Sequence, residues 1–363
     1  MTFVNQKLEE MQKPEKGLAE KNEEVGTRKF RIGKVESMEG LRRRLSDRIV
    51  GQPDAVEAIV RALSIASVGL HDEHRPIASM LFVGPTGVGK TELARQLAKE
   101  ISGDEDDLCR IDMNALAQEH YSASLTGAPP GYSGAKEKLS LFDRDRIEGN
   151  ISKPSVVLFD EVEKAHQTVI RALLHVLDAG KLKLASGNEE IDFRNAVVIF
   201  TSNLGARSIV DSVGRLNAGR VRGNPFWNGF LRKIDRKDKE DPVIKEVKAF
   251  FDPEFFNRFD EVIRFSALDK ATAQKIAERE FASLSDRLRK QDLDLQFDPR
   301  VIDFVVERGF DPAFGARNLK RVMRIDVMAP IAERIVGQGS SWDGNNTTIK
   351  LEIWSEGIQA TLR

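Results

Sequence analysis

The chain is 363 residues long, 40% hydrophobic and 31% charged, with a formal net charge of -1. That length suits more than one globular unit, and the near-neutral balance excludes an overall basicity aimed at nucleic acid. A single cysteine, Cys109, excludes any internal disulfide, which fits a reducing compartment such as the cytoplasm.

Residues 1–37 are rich in Lys, Glu, Gln and Gly and read as a tail or linker; the alternative is a docking segment with Phe3, Val4 and Leu8 as anchors. No apolar stretch there has signal-peptide character, and none in the chain approaches the ~20 residues needed to span a bilayer. The expectation is a soluble, cytoplasmic protein without a membrane partner.

From Met38 the pattern tightens. Leu41, Leu45 and Ile49 recur at helical spacing, Gly51-Gln52-Pro53-Asp54 breaks the chain, and Val56, Ile59, Val60 and Leu63 mark a second helix. Five short apolar runs then alternate with helical stretches: Met80–Val83, Leu108–Ile111, Val156–Phe159, Val197–Phe200 and Val262–Phe265. Such runs suit strands of a parallel sheet buried on both faces, hence an α/β domain over 38–265. Cys109 lies in the second run and reads as a buried, inert thiol.

Past Phe265 the character changes. Ala277, Phe281, Leu284 and Leu288 mark an amphipathic helix, and Leu293, Leu295 and Phe297 alternate as a strand. Asp298-Pro299 and Asp311-Pro312 each read as an N-cap followed by proline at the first helical position. Ile349, Leu351 and Ile353, then Ile358, Ala360 and Leu362, predict a terminal hairpin turning at Ser355-Glu356-Gly357. Residues 266–363 therefore form a smaller α+β domain.

The strongest chemical signal is Gly84-Pro85-Thr86-Gly87-Val88-Gly89-Lys90-Thr91, a full G-x-x-x-x-G-K-[ST] phosphate-binding loop between a strand and the helical run Glu92–Ile101. Backbone N–H groups converge there on phosphate at a helix N-terminus. Lys90 suits the β- and γ-phosphates of ATP, and the Thr91 hydroxyl suits Mg²⁺. Val156–Phe159 ends in Asp160-Glu161, at the edge where an α/β sheet presents its ligands. Asp160 is expected to hold Mg²⁺ and Glu161 to activate the attacking water. Asn203, in Thr201-Ser202-Asn203, can orient that water, although asparagine at a strand end is also ordinary turn chemistry.

These residues, with Gly127-Ala128-Pro129-Pro130-Gly131-Tyr132, Asp160-Glu161-Val162-Glu163-Lys164-Ala165-His166, Asp192-Phe193-Arg194-Asn195, Pro253-Glu254-Phe255-Phe256-Asn257-Arg258 and Gly315-Ala316-Arg317, resemble the Clp unfoldases. The likeness is to the second ATPase module of ClpB and ClpA and covers residues 38–363. It implies a P-loop AAA+ large domain with a five-stranded parallel sheet, followed by a small sensor 2 domain. It further implies that Asn203 is sensor 1, that Arg258 is an arginine finger reaching a neighbouring subunit's ATP, and that Arg317 is sensor 2. Ile49 and Val50 become the apolar clamp on adenine. Taken alone, Arg258 would read as a surface salt-bridge partner. A finger acting in trans implies a homo-oligomeric ring, a hexamer.

The resemblance also makes Gly131-Tyr132-Ser133-Gly134 the pore loop that grips a protein substrate. Ser133 stands where the family usually has an aliphatic residue, which implies a weaker or more selective grip. The first ATPase module, the N-terminal substrate domain and the coiled-coil insertion of the larger relatives have no counterpart, so a stand-alone, single-ring form is expected. The Ile-Gly-Leu or Ile-Gly-Phe tripeptide that docks a ClpP-type peptidase is not found. In its place, Ala206 to Lys248 carries eleven Lys/Arg against six Asp/Glu and the run Pro225-Phe226-Trp227-Asn228-Gly229-Phe230. This insertion reads either as a dock for an adaptor or dedicated partner, or as aromatics packed into a local core. The function expected is ATP-driven protein unfolding; the alternatives are a nucleic-acid loader, disfavoured by the neutral charge, and a nucleotide-gated scaffold.

Overall fold

The computed structural model describes residues 32–118, 142–150, 152–183, 190–206, 241–311, 314–337, 347–354 and 357–362. The expected tail up to residue 31, the expected pore loop Gly131-Tyr132-Ser133-Gly134 and the aromatic run of the insertion lie outside the described residues. Among the described residues no helix is long and apolar enough to cross a membrane.

In chain order the first unit holds α1 (Met38–Arg48), α2 (Pro53–Ser67), β1 (Ala78–Val83), α3 (Lys90–Ser102), β2 (Leu108–Asp112), α4 (Arg144–Glu148), β3 (Ser155–Asp160), α5 (Gln167–Ala179), β4 (Lys181–Lys183), β5 (Glu190–Asp192), β6 (Ala196–Ser202), α6 (Pro242–Phe250), α7 (Pro253–Phe256) and β7 (Glu261–Arg264). The second holds α8 (Lys270–Arg289), β8 (Leu293–Phe297), α9 (Pro299–Gly309), α10 (Arg317–Val322), a π-helical turn, α11 (Ala329–Gly337), β9 (Thr347–Trp354) and β10 (Gly357–Leu362).

Strands β2, β3, β6, β1 and β7 pair in that order, all in parallel. Every residue of β1, β3 and β6 is buried. The pleat sends alternate side chains to opposite faces. Met80, Phe82, Leu158 and Ile199 enter one core with α1, α2 and α3, and Leu81, Val83, Phe159 and Phe200 enter the other with α5, α6 and α7. On the second face Phe200 stacks on Phe159 with centroids 4.7 Å apart and meets Phe255 and Phe259 edge-on. Cys109 is buried in β2, and burial pushes its thiol up to about 11, so it stays protonated and unreactive near neutrality.

The smaller unit wraps α8, α9, α10 and α11 around a three-stranded sheet of order β10-β9-β8, antiparallel between β10 and β9 and parallel between β9 and β8. Its core holds Ala277, Phe281, Leu284, Leu288, Leu293, Val301, Leu319 and Ile349. Asp298 caps α9 by accepting from the Arg300 N–H at 2.9 Å, with Pro299 at the first helical position.

Three details depart from the sequence reading. Ile32 and Val35, within the segment expected as a tail, are buried against α1 and α3, and the Lys34 N–H donates to the Ile101 carbonyl at 2.9 Å. The packed unit therefore includes residues 32–37. The last parallel strand ends one residue early, at Arg264, though Phe265 remains buried and donates to Val83. The short antiparallel pair β4–β5 carries too few apolar residues to have been predicted.

Candidate functional site

Three neighbouring strands of the parallel sheet, β3, β6 and β1, deliver their C-terminal ends side by side. The register places Val83 beside Ser202 and Phe159 beside Phe200, so Gly84, Asp160-Glu161 and Asn203 emerge along one edge, where open α/β sheets bind ligands. A cavity of about 440 Å³ opens there. It is lined by Thr86 to Thr91 of the phosphate-binding loop, by Ile49 and Val50 from the end of α1, by Asp160, Glu161 and Asn203, and by Arg317 and Ile276 from the second unit.

The loop geometry follows from its glycines. Gly87 sits at φ +73, and a Cβ there would lie 2.2 Å from the Phe314 carbonyl oxygen; only glycine satisfies both constraints. Its own carbonyl accepts the Ala316 N–H at 3.1 Å, so the loop tip is bonded to the residue preceding Arg317. Gly89, at φ +105, has nothing within 4 Å of where a Cβ would stand, which leaves room for a ligand against the backbone at the N-terminus of α3. Buried Gln52 ties the loop down from behind, donating to the Val88 and Ser266 carbonyls while accepting from the Ser266 N–H at 2.9 Å.

Lys90 is buried, and its ammonium donates to the Gly84 and Pro85 carbonyls at 2.6 and 2.8 Å and to Asn203 Oδ1 at 2.9 Å. Burial lowers its pKa to about 8, opposed by the carboxylates of Glu163, Asp160 and Glu161. Asn203 is used at every polar atom of its side chain: Nδ2 donates to Glu161 Oε1 at 3.1 Å. Its backbone N–H donates to Glu163 Oε1 at 2.9 Å. Glu161 itself adopts φ +60, a left-handed conformation that costs a non-glycine residue about 1–3 kcal/mol and concentrates at functional sites.

Two partners of Asp160 were not anticipated. Arg110, on β2, donates through Nε and Nη2 to Asp160 Oδ2 at 2.9 and 2.7 Å, and the Thr201 hydroxyl donates to Oδ1. The same hydroxyl accepts the Glu161 N–H at 2.9 Å. A lone cation inside the apolar run Leu108–Ile111, and a threonine two residues before Asn203, were the available signals. Glu163 was visible as the second glutamate of Asp160-Glu161-Val162-Glu163.

Arg258 is not brought to this cavity. Its half-exposed side chain pairs with Asp178 at 2.7 Å, at the end of α5, and its carbonyl is held by Arg75 and by the Ser79 hydroxyl. The donor set fits a magnesium nucleotide: a cation at the loop, a threonine hydroxyl and a single buried carboxylate face one cavity. Among the described residues no group of three or more His, Cys, Asp or Glu side chains is arranged to hold a metal ion by itself; Mg²⁺ typically takes one or two carboxylates and completes its shell with phosphates and water.

Comparison with known proteins agrees with this arrangement. The family model described as an AAA domain (Cdc48 subfamily) matches residues 75–262, and that of the C-terminal, D2-small domain of ClpB protein matches residues 268–349. An ATP-dependent protease ATP-binding subunit-like protein of Rhodococcus erythropolis is 48% identical over 300 residues, covering 82% of each chain. The corresponding protein AmiB of Pseudomonas aeruginosa is 41% identical over 315 residues, 87% of this chain and 84% of that one. The chaperone protein ClpB of Rhodopseudomonas palustris is 40% identical over 321 residues, which span 88% of this chain but 34% of ClpB. A parallel sheet carrying a phosphate-binding loop, a D2-small unit bonded to that loop, and these relatives together place the chain in the Clp-type AAA+ family, as an ATPase built like the second module of ClpB.

Proposed function

We propose that the chain hydrolyses Mg-ATP at this cavity and spends the energy on remodelling a polypeptide threaded through a homo-oligomeric ring, a hexamer. The observation that carries the reading is the Lys90–Asn203–Glu161 chain of hydrogen bonds, which joins the phosphate-binding loop to the carboxylate best placed to act on water. Backbone N–H groups of Gly87 to Lys90 and the Lys90 ammonium bind and orient the phosphates. Thr91 and Asp160 would hold Mg²⁺, which would neutralise the charge developing on the phosphates. Glu161 takes the proton of the attacking water, oriented by Asn203. Ile49 and Val50 flank the adenine, and Arg317 senses the γ-phosphate from the small unit.

Arg258, exposed and remote from its own cavity, completes the neighbouring subunit's site, which makes assembly a requirement for turnover. Tyr132, between Gly131 and Gly134, grips substrate by packing its ring on side chains of any sequence. The relatives named as ATP-dependent protease ATP-binding subunit-like proteins support an ATP-driven role on protein substrates. The test is a matched set of variants assayed for ATP hydrolysis and for unfolding of a fluorescent protein substrate. Tyr132→Ala is expected to keep its ATPase and lose unfolding. Arg258→Ala is expected to lose hydrolysis by about 10³-fold or more while still binding nucleotide. Full unfolding by Tyr132→Ala discards threading, and full hydrolysis by Arg258→Ala discards the shared site.

A further inference from the structure

The turn after β3 carries a third carboxylate to which the mechanism assigns no part. Glu163 lies in the single 3-10 turn Val162–Lys164. One of its oxygens, Oε1, accepts the Asn203 N–H at 2.9 Å; the other, Oε2, is buried without a hydrogen-bond partner among the described residues. A buried carboxylate oxygen left unpaired is costly, and a neutral or apolar group at the same place would cost less. Beyond supporting the charge of the buried Lys90 ammonium, stability therefore gives no reason for a carboxylate there.

Asn203 supplies one. Strand β6 ends at Ser202, so the Asn203 N–H looks outside the sheet for a partner, and Glu163 provides it. From that fixed point the Asn203 amide spans Lys90 Nζ and Glu161 Oε1, at 2.9 and 3.1 Å. The amide cannot turn over without losing both contacts, because its oxygen faces a donor and its nitrogen an acceptor. The only freedom left is movement of the main chain at residue 203, and Glu163 removes it. Glu161 adds a second reason for an external tether: held at φ +60, it depends on its surroundings to keep its place.

We propose that Glu163 is a positioning residue for ATP hydrolysis, anchoring the Asn203 main chain so that the Asn203 amide holds Glu161 where it meets water. The proposal rests on the reading of Glu161 and Asn203 as the hydrolytic pair. Glu163 touches neither phosphate nor water in this scheme; beyond its electrostatic support of the Lys90 ammonium, its influence passes through Asn203.

The experiment measures steady-state ATP hydrolysis, binding of a fluorescent ADP analogue and thermal unfolding for Glu163→Ala, Glu163→Gln, Asn203→Ala and the Glu163→Ala/Asn203→Ala pair. Glu163→Ala is expected to lower kcat by about 10²-fold, as a displacement of roughly 1 Å can, with KM and ADP affinity within about threefold of wild type. Glu163→Gln keeps an acceptor oxygen at the same reach and restores most of the lost kcat. The pair loses no more than Asn203→Ala alone, because the two residues act as one unit. Wild-type turnover in Glu163→Ala, full additivity in the pair, or an equal loss in the Gln and Ala variants would overturn the proposal. Should Glu163→Ala not fold, Glu163→Asp, one methylene too short for the Asn203 N–H, takes its place with the same expectations. If instead Asn203→Ala and Glu161→Gln both hydrolyse ATP at the wild-type rate, the underlying reading fails, and that result is distinct from failure of the Glu163 role.

Discussion

The two sheets of this chain bury their strands in different ways. In β1, β3 and β6 every residue is inside, alternately committed to one core or the other. In β8 and β9 only alternate positions are buried, and β9 ends exposed at Ile353 and Trp354. A sheet sandwiched between helices cannot shift register by one residue without exchanging its two cores, so its strand ends are fixed points. Asp160, Glu161 and Asn203 stand on such points. The smaller unit contributes Arg317 from a helix, located by the bond between Ala316 and Gly87. One unit places chemistry by register and the other by a single backbone contact.

The largest expected effect tests the first half of that contrast. Phe200→Ala removes a ring that meets Phe159, Phe255 and Phe259 and should cost about 3–5 kcal/mol, read from the denaturant midpoint. Phe281→Ala in the smaller unit loses one ring partner, Phe297, and should fall at the low end of that range. A larger loss from Phe281 would break the comparison.

The second half is tested at the loop tip. Gly87→Ala forces a Cβ against the Phe314 carbonyl at 2.2 Å as well as φ +73, whereas Gly89→Ala meets only its backbone strain. Gly87→Ala is therefore expected to weaken binding of a fluorescent ADP analogue by about tenfold or more, the equivalent of roughly 1.4 kcal/mol. It should also blunt the effect of Arg317→Ala, since Arg317 is already displaced. Fully additive losses for the two variants would mean that the contact does not position Arg317.

What the sequence disclosed divides along the same line. Buried parallel strands write themselves as continuous apolar runs, so all five were legible, and the G-x-x-x-x-G-K-[ST] spacing fixed the loop. The carboxylates and Asn203 could be named because they follow those runs directly. The roles of Arg110 and Thr201 could not, because their importance is a matter of which neighbours parallel pairing sets beside them, and pairing order is not written in any one strand.

The pH dependence sharpens the picture of a loop cation held by register. Burial sets the Lys90 pKa at about 8 in the folded chain, against 10.5 for an unperturbed lysine. Between those values the unfolded chain binds more protons, so stability rises with pH across that window. Nucleotide affinity should move oppositely: above about pH 8 the ammonium is lost, and affinity falls by at most about tenfold per pH unit. Titrations with a fluorescent ADP analogue from pH 7 to about 9.5 would show the decline, and Lys90→Met should flatten it. A wild-type profile as flat as that of the variant would assign the phosphate charge to another group.

The smallest effect lies where the two units join. Leu268 belongs to the core of the larger unit, and Asp269 immediately caps α8 of the smaller one, its Oδ1 accepting the Thr272 N–H at 2.8 Å. Hydrogen bonds from the Thr272 side chain and backbone hold its carboxyl below the usual range, so the stability it contributes is present above the ordinary aspartate pKa and lost as pH falls through the lowered one. Asp269→Ala should cost about 1 kcal/mol. Because the cap starts the helix that carries Ile276 to the cavity, the same change should also weaken nucleotide binding, by less than about fivefold. Asp298→Ala, which uncaps α9 away from the cavity, should lower stability and leave nucleotide affinity where it was. Equal effects of the two caps on affinity would mean that the smaller unit answers to its overall stability, and that the joint at Asp269 has no special hold on the site.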